Sequence, residues 1–245
     1  MSMNIVAGDL HFELLNKQIR ESADSEIVIE KCLGQRYIGA GLSHKNIKID
    51  GIPGNALGAY LDGATIEVSG NAQDATGDTM NDGSIVIHGS SGDATGYAMR
   101  GGKIFVQGDA GYRAGIHMKA YMDKLPVLVI GGKAGSFLGE YQAGGLIIVL
   151  GLGIEPGTDL GSYLNFCATG MHGGKILLRA ATAPARLPKQ IIVKEATGED
   201  LDEIMPHIDE FCALFGESKE KILAEKFLVL TPDTKNPYKQ LYTYN

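Results

Sequence analysis

The feature that most constrains this chain is a six-residue pattern that returns at intervals of 19 residues. Apolar residues fill its second and fourth positions, and glycine fills its sixth. Counted from Asn46, the first three steps are 19 residues each, and the next are 24, 19 and 29, which correspond to insertions of 5 and 10 residues. Two further apolar segments, one before and one after, extend the series. The segments begin at Glu26, Asn46, Thr65, Ser84, Lys103, Val127, Leu146 and Lys175.

Alternation with a period of two places both apolar columns on one face of a short strand. One copy cannot bury that face alone, whereas stacked copies can, so the repeat predicts a solenoid of parallel strands about 4.8 Å apart. A hexapeptide left-handed helix needs a period divisible by six, and 19 is not. Leucine-rich and calcium-binding nonapeptide signatures do not occur. We therefore predict an all-β solenoid, a right-handed parallel β-helix of about seven coils of 19 residues.

Glycine is concentrated in the same region, because 31 of the 34 glycines lie between Gly34 and Gly174. Corners where a Cβ would cause strain favour glycine, so two recurrent columns of glycine predict the turns of the coils. These structural glycines are Gly51, Gly58, Gly70, Gly77, Gly89, Gly96, Gly108, Gly115, Gly132, Gly139 and Gly151.

The composition changes near residue 180, and we predict three parts. Residues 1–25 form an N-terminal helical lead-in, residues 26–180 form the β-helix, and residues 181–245 form a linker and a helical C-terminal tail. The tail holds only two glycines, and its apolar residues follow a helical spacing from residue 199 onward.

Specific residues bound the predicted helices of the tail. Thr197 and Asp200 predict a capping box, and Gly216 predicts a C-terminal cap. A second short helix is predicted over residues 218–227. The aromatic stretch at residues 236–244 predicts docking, either back on the domain or onto a partner.

Composition also excludes several classes of function. The net charge of -7 leaves no basic stripe for nucleic acid. No apolar run approaches the roughly 20 residues that span a bilayer, and the first ten residues lack a basic segment typical of a signal peptide. Cys32, Cys167 and Cys212 have no paired spacing, and the histidines have no metal-ligand spacing. We expect a cytoplasmic protein without nucleic-acid, membrane or metal binding.

Two groups of residues invite a chemical role. The column Asn55, Asp74 and Asp93 either holds a metal or an acid–base pair, or caps tight turns through backbone N–H groups, and the second interpretation is favoured. Tyr112 replaces the aspartate in the next coil. Arg113 and His117 replace small residues beside it, directly before an insertion. Tyr112, Arg113 and His117 are thus a weak candidate for a small-molecule site or an interface.

The outer face of the strands changes along the solenoid. Its middle column is charged in the first coils and apolar in the later ones, and a large apolar surface usually marks a contact. We predict that a cover lies over this face, supplied by a protein partner, by self-association or partly by the tail. The candidate interface residues are Val86, Phe105, Val129 and Ile148.

The repeat resembles a known family. Residues 34–42, 54–63 and 92–104, and above all residues 108–115 and 131–151, are similar to the GXGXG β-helix at the C-terminal end of the glutamate synthase large subunit. A similar repeat occurs in one of the subunits of formylmethanofuran dehydrogenase. The chain departs from the glutamate synthase pattern because it has no catalytic cysteine near its start, no FMN barrel, and a tail of about 60 residues that does not align.

The resemblance implies a scaffold without catalytic residues or cofactors of its own, in a complex whose amidotransferase and FMN-barrel subunits carry the chemistry, the FMN and the iron–sulfur cluster. Self-association is a second expectation. The alternatives are a subunit of a formylmethanofuran dehydrogenase-type complex and an independent polysaccharide-active β-helix enzyme. Acidic side chains in an exterior groove favour that enzyme, and turn-capping aspartates speak against it.

Overall fold

The computed structural model describes residues 2–155 and 157–233, which contain eleven strands in one sheet and three α-helices. The helices are α1 (Phe12–Glu21), α2 (Gly198–Phe215) and α3 (Lys219–Leu223). The strands are β1 (Ser2–Val6), β2 (Glu26–Leu33), β3 (Asn46–Ile52), β4 (Asp62–Val68), β5 (Asp82–Ile87), β6 (Lys103–Val106), β7 (Val127–Ile130), β8 (Ala143–Val149), β9 (Gly173–Arg179), β10 (Ile191–Glu195) and β11 (Phe227–Pro232).

Strands β1 to β9 pair in parallel and in sequence order, one strand per coil. The register matches the sequence repeat, since Ile47 pairs with Ile66 and Ile66 pairs with Ile85. These side chains are at most 1% exposed and belong to one continuous apolar core. The result is a parallel β-solenoid of about seven turns, which confirms the predicted fold class.

Both ends of the solenoid contain strands that the sequence analysis missed. The lead-in holds the predicted helix, α1, whose Leu15 and Ile19 are buried in the solenoid core, but it also supplies β1. In the tail, β11 pairs antiparallel with β9, and β10 pairs antiparallel with β11. An unpaired strand edge is a template for aggregation, and these two strands cover the edge of β9.

Helix α2 has the predicted boundaries. Thr197 and Asp200 form a capping box, and Gly216 adopts the left-handed conformation at the C-terminal end with a φ of 70°. Pro206 lies inside α2, so the helix continues through it. The second helix is shorter than predicted, because β11 begins at Phe227. The predicted docking segment at residues 236–244 lies outside the described residues.

The outer face of the later strands lies under the chain's own tail, which corrects the predicted interface with a partner. The four candidate residues are at most 5% exposed and form a second apolar core with the buried face of α2. An 18-residue helix is about 27 Å long, and five neighbouring strands span about 19 Å. Helix α2 therefore reaches from β9 to β5. The four residues are Val86, Phe105, Val129 and Ile148.

Ion pairs fix α2 on this face. Lys103 on β6 lies 2.6 Å from Glu210, and Lys175 on β9 lies 2.5 Å from Glu203. At the C-terminal end of α2, the ring of Phe215 contacts the ring of His88 edge-on at 5.2 Å between centroids. The sequence predicted that the tail covers only part of the outer face. The structure agrees, because the charged outer face of β2 to β4 extends beyond Phe215.

Every coil contains three alternating residues in the left-handed region, and the middle one is glycine in all but the last. In one coil these are Ala75, Gly77 and Thr79, with φ of 57°, 70° and 52°. A Cβ on Gly77 would lie under 3.0 Å from Cδ1 of Ile104 in the core, so a side chain here requires the Ile104 side chain to move. The middle column comprises Gly39, Gly58, Gly77, Gly96, Gly115 and Gly139, all with positive φ.

The second glycine column has a different cause. Gly51 and Gly151 have positive φ, but the other four members do not. For those four, a Cβ would lie within 3.1 Å of the backbone of the preceding coil, because the coils meet closely at this corner. The four are Gly70, Gly89, Gly108 and Gly132.

Candidate functional site

The column of Asn55, Asp74 and Asp93 is a ladder of turn caps. The Asp74 carboxylate accepts a hydrogen bond from the backbone N–H of Asp93 at 2.9 Å, and the Asp93 carboxylate accepts one from the N–H of Tyr112 at 2.8 Å. The amide oxygen of Asn55 accepts from the N–H of Asp74 at 3.3 Å. Each side chain therefore ties its own coil to the next one, and the carboxylates are used in holding the stack together.

A second polar column, which the sequence analysis did not single out, works in the same way. The oxygen atoms of Asn71, Ser90 and Asp109 accept from the backbone N–H of Ser90, Asp109 and Lys133 at 2.8, 3.0 and 2.8 Å. The signal in the sequence is a polar residue directly after the corner glycines Gly70, Gly89 and Gly108. Two ladders of side-chain caps thus stiffen two corners of the solenoid.

Arg113, one of the weak candidate residues, joins its coil to the following one. Its Nε donates to the Glu140 carboxylate at 2.8 Å, and the Glu140 side chain is only 10% exposed. The guanidinium lies over the rings of Tyr112 and Phe137, at 5.8 and 5.1 Å from the centroids. The structure thus brings Tyr112 and Arg113 together with two residues of the next coil.

The column of Arg113 continues as a stack into the last coil. The rings of Phe137 and Phe166 lie parallel within 15° at 4.9 Å, and Arg186 from the linker lies 5.8 Å above the Phe166 ring. We call this stack of Arg113, Phe137, Phe166 and Arg186 the ring ladder. Arg113, Phe137 and Phe166 occupy the first left-handed position of their coils, with φ of 56°, 63° and 54°.

His117, the third candidate residue, belongs to a parallel stack beside the ring ladder. Its ring stacks on that of Tyr141 at 5.2 Å and meets the ring of Tyr97 edge-on at 5.9 Å. His117 and Tyr141 occupy the third left-handed position of their coils. The candidate residues Tyr112, Arg113 and His117 therefore belong to one exposed aromatic surface rather than to an enclosed pocket.

The sequence analysis missed Phe137, Tyr141, Phe166 and Arg186. The first three occupy the same columns as Arg113 and His117, but the two insertions separate them in the sequence. A column alignment that allows for the insertions identifies them. Arg186 lies in the linker, outside the repeat, and only the folded structure brings it to Phe166.

A charged cleft occupies the outer face of β2 to β4, which α2 leaves uncovered. Nε2 of His88 lies 3.0 Å from the Glu67 carboxylate, and Lys48 lies 3.9 Å from it. Asp50 and Ser69 line the same cleft. One lysine, Lys48, and two carboxylates, those of Asp50 and Glu67, thus line this cleft together with His88.

The thiols are poorly suited to nucleophilic chemistry. Burial raises the pKa of Cys32 to about 11 and that of Cys167 to about 12, so both are protonated thiols at neutral pH. Burial also raises the pKa of Cys212. Within residues 2–155 and 157–233, no group of three His, Cys, Asp or Glu side chains is arranged to hold a metal ion.

The comparison with known families agrees with this architecture. The model of the GXGXG motif family matches residues 17–233. The chain belongs to the GXGXG family. This confirms the resemblance inferred from the repeat. The family name denotes three glycines at alternating positions. Each coil of this chain has three left-handed residues at the same spacing, and mainly the middle one is glycine.

An uncharacterized protein of Methanocaldococcus jannaschii is 50% identical to this chain over 250 aligned residues. The alignment covers 98% of this chain and 95% of that protein, so the tail is shared along with the GXGXG repeats. In the part of the chain that the structure describes, each helix is too short or too polar to cross a membrane.

Proposed function

We propose that this GXGXG protein is a scaffold subunit of a glutamate synthase-type complex and has no catalytic role on its own. The observation that supports the scaffold role is the use of the repeat's polar side chains. In the Asn55–Asp93 column and in the Asn71–Asp109 column, they accept hydrogen bonds from the backbone of the next coil. These hydrogen bonds stiffen the stack, and they already occupy the side chains that would otherwise be free to contact a substrate.

The same observation weakens the polysaccharide-enzyme alternative. That class needs a pair of carboxylates free to act as acid and base. Here Asp74 and Asp93 are the stacked carboxylates, and each is engaged by a backbone N–H of the following coil. Membership of the GXGXG family supports the glutamate synthase assignment among the scaffold roles.

The proposal includes the partners and their location. An amidotransferase subunit and an FMN-barrel subunit bind this chain in the cytoplasm, and the FMN and the iron–sulfur cluster reside in those subunits. The rigid solenoid holds the two active sites at a set separation. The chain positions the two active sites and catalyses no reaction itself. Its removal is therefore expected to uncouple glutamine hydrolysis from glutamate formation.

Reconstitution tests this proposal. The chain, the amidotransferase and the FMN-barrel subunit encoded by the same genome are purified separately and then combined. We expect glutamine-dependent glutamate formation to require all three, while each catalytic subunit keeps its partial reaction without the chain. Full coupling without the chain, assembly of the chain with formylmethanofuran dehydrogenase subunits instead, or cleavage of a polysaccharide by the chain alone would overturn it.

A further inference from the structure

We infer that the ring ladder and its flanking rings form a docking surface for an acidic segment of a partner protein. The inference rests on the proposed function, because it names the surface through which a scaffold holds a partner. It stands on three observations, namely the backbone positions of the rings, their exposure and the pairing of the cations around them.

The rings occupy positions where the backbone disfavours bulky residues. The coil between β2 and β3 holds Tyr37 at the first left-handed position, with a φ of 60°, and the next three coils hold Ala56, Ala75 and Ala94, with φ between 55° and 62°. In the later coils, the same position holds Arg113, Phe137 and Phe166. Bulky residues with positive φ are rare, and strained positions cluster at functional sites. The solenoid therefore folds with alanine here, and the rings serve another purpose.

Core packing does not account for the rings either. The residues that follow them, Ala114, Leu138 and Cys167, point into the core and are fully buried. The rings themselves lie on the outside, where Tyr112 is 43% exposed, Phe166 is 41% exposed and Tyr141 is 42% exposed. Aromatic residues and arginine are enriched at protein interfaces and dominate their binding energy.

The arrangement of the rings favours a protein over a sugar or a nucleobase. Such ligands stack on a free ring face. The faces of Phe137 and Phe166 are occupied by each other and by Arg113 and Arg186. The edges of the rings and the guanidinium groups remain available, and they form a broad surface with donors at its margins.

The charges on this surface specify the partner. Beneath α2, Lys103 pairs with Glu210 and Lys175 pairs with Glu203. Arg186 and Lys133 instead lie over the rings of Phe166 and Tyr163 and have no carboxylate partner within the described residues. In a chain of net charge -7, two unpaired cations beside exposed rings complement a partner that presents carboxylates.

Binding assays with purified amidotransferase and FMN-barrel subunits test the inference. We expect Phe166→Gly and Arg186→Glu each to weaken binding of one subunit by about tenfold or more. Glycine suits the left-handed backbone at position 166, so the variant is expected to fold. Tyr60→Gly is the matched control, because Tyr60 is 58% exposed with a φ of 57° but lies in an early coil. Its affinity is expected to equal that of the wild type.

Salt and oligomeric state refine the test. The affinity of the wild type is expected to decrease as the NaCl concentration is raised from about 0.05 to about 0.5 M. The Arg186→Glu variant is expected to lose most of this salt dependence. Binding by Phe166→Gly as tight as by Tyr60→Gly would overturn the inference and leave the proposed function intact. If light scattering shows a dimer for the wild type and a monomer for the Phe166→Gly variant, the surface binds a second copy of the chain, and the inference of a partner protein is overturned.

Photo-crosslinking separates the inference from the proposed function. Benzoylphenylalanine replaces Phe166 in one protein and Tyr60 in another, and both are irradiated in an extract of the source organism. An acidic peptide crosslinked only at position 166 supports the inference. If that peptide comes from neither an amidotransferase nor an FMN-barrel subunit, the docking surface stands and the proposed function fails. Crosslinks only at position 60, none at either position, or a basic peptide at position 166 overturn the docking surface.

Discussion

Replacing Gly77 by alanine tests the structural cause of the glycine column. The new Cβ meets two penalties. A left-handed backbone costs a residue with a Cβ about 1–2 kcal/mol, and crowding in a packed core costs about 1–3 kcal/mol. The crowding arises because Cδ1 of Ile104 lies under 3.0 Å from the Cβ position. Reduced conformational freedom of the unfolded chain offsets about 0.4–1 kcal/mol of this cost, so the net destabilisation is about 1–5 kcal/mol.

Two controls separate the penalties. Gly96 lies in the same column with a φ of 72°, but its Cβ position is 3.6 Å from the nearest atom, in Leu128, so Gly96→Ala carries the backbone cost alone. Ala168 already occupies this column in the last coil with a φ of 58°. Gly198, the first residue of α2, has neither a positive φ nor a neighbour within 4 Å, so Gly198→Ala is expected to be nearly neutral.

Urea unfolding followed by circular dichroism measures these differences. We expect Gly77→Ala to lower the free energy of unfolding by about 1–3 kcal/mol more than Gly96→Ala. Adding Ile104→Val, which removes the clashing methyl group, is expected to restore most of that difference in a double-mutant cycle. Equal free energies for the two glycine variants, or a cycle without coupling, would refute the reasoning.

Three further outcomes follow from particular contacts. Asp93→Ala is expected to cost about 1 kcal/mol because the N–H of Tyr112 loses its acceptor, and Asp93→Asn is expected to cost less, both read from urea midpoints. Phe105→Ala is expected to cost about 3–5 kcal/mol because the ring is fully buried beneath α2, and a near-neutral result would disprove the packing of the helix. The hydrogen bond from Lys194 is the largest cause that lowers the pKa of Asp200 from 3.8 to about 2. The folded state thus gains stability above pH 4 that is lost as the pH falls toward 2. Because Lys194 is half exposed, this gain is about 1 kcal/mol, and the Asp200→Asn variant is expected to lack that pH dependence in acid titrations.

The repeat was sufficient to predict the solenoid and its register. Identical columns must stack, and the pairing of Ile47 with Ile66 is the pairing that the 19-residue spacing predicts. Local signals also sufficed for α2, since Thr197, Asp200 and Gly216 act on backbone groups within one turn of themselves. Strands β10 and β11 were not predicted, because they carry no copy of the repeat. Strand β11 pairs with the edge of β9, and β10 pairs with β11.

Part of the ring ladder and its flanking rings could be located from the sequence. Tyr112 replaces an aspartate, and Arg113 and His117 replace alanines, which singles out this coil, but the partner residues Phe137 and Phe166 follow insertions that hide the column. The outer-face residues were recognised as needing a cover. That the cover is the chain's own helix depends on where α2 lies in space.

The sequence by itself determined the coil, because a periodic pattern of apolar residues and glycines allows one way of stacking. Tertiary structure alone decided what meets across coils. It placed α2 over Phe105, left the charged face of β3 and β4 open, and carried Arg186 from the linker to the ring of Phe166. These contacts join residues far apart in the chain, and the free energy that selects them comes from burial and charge pairing in the assembled fold.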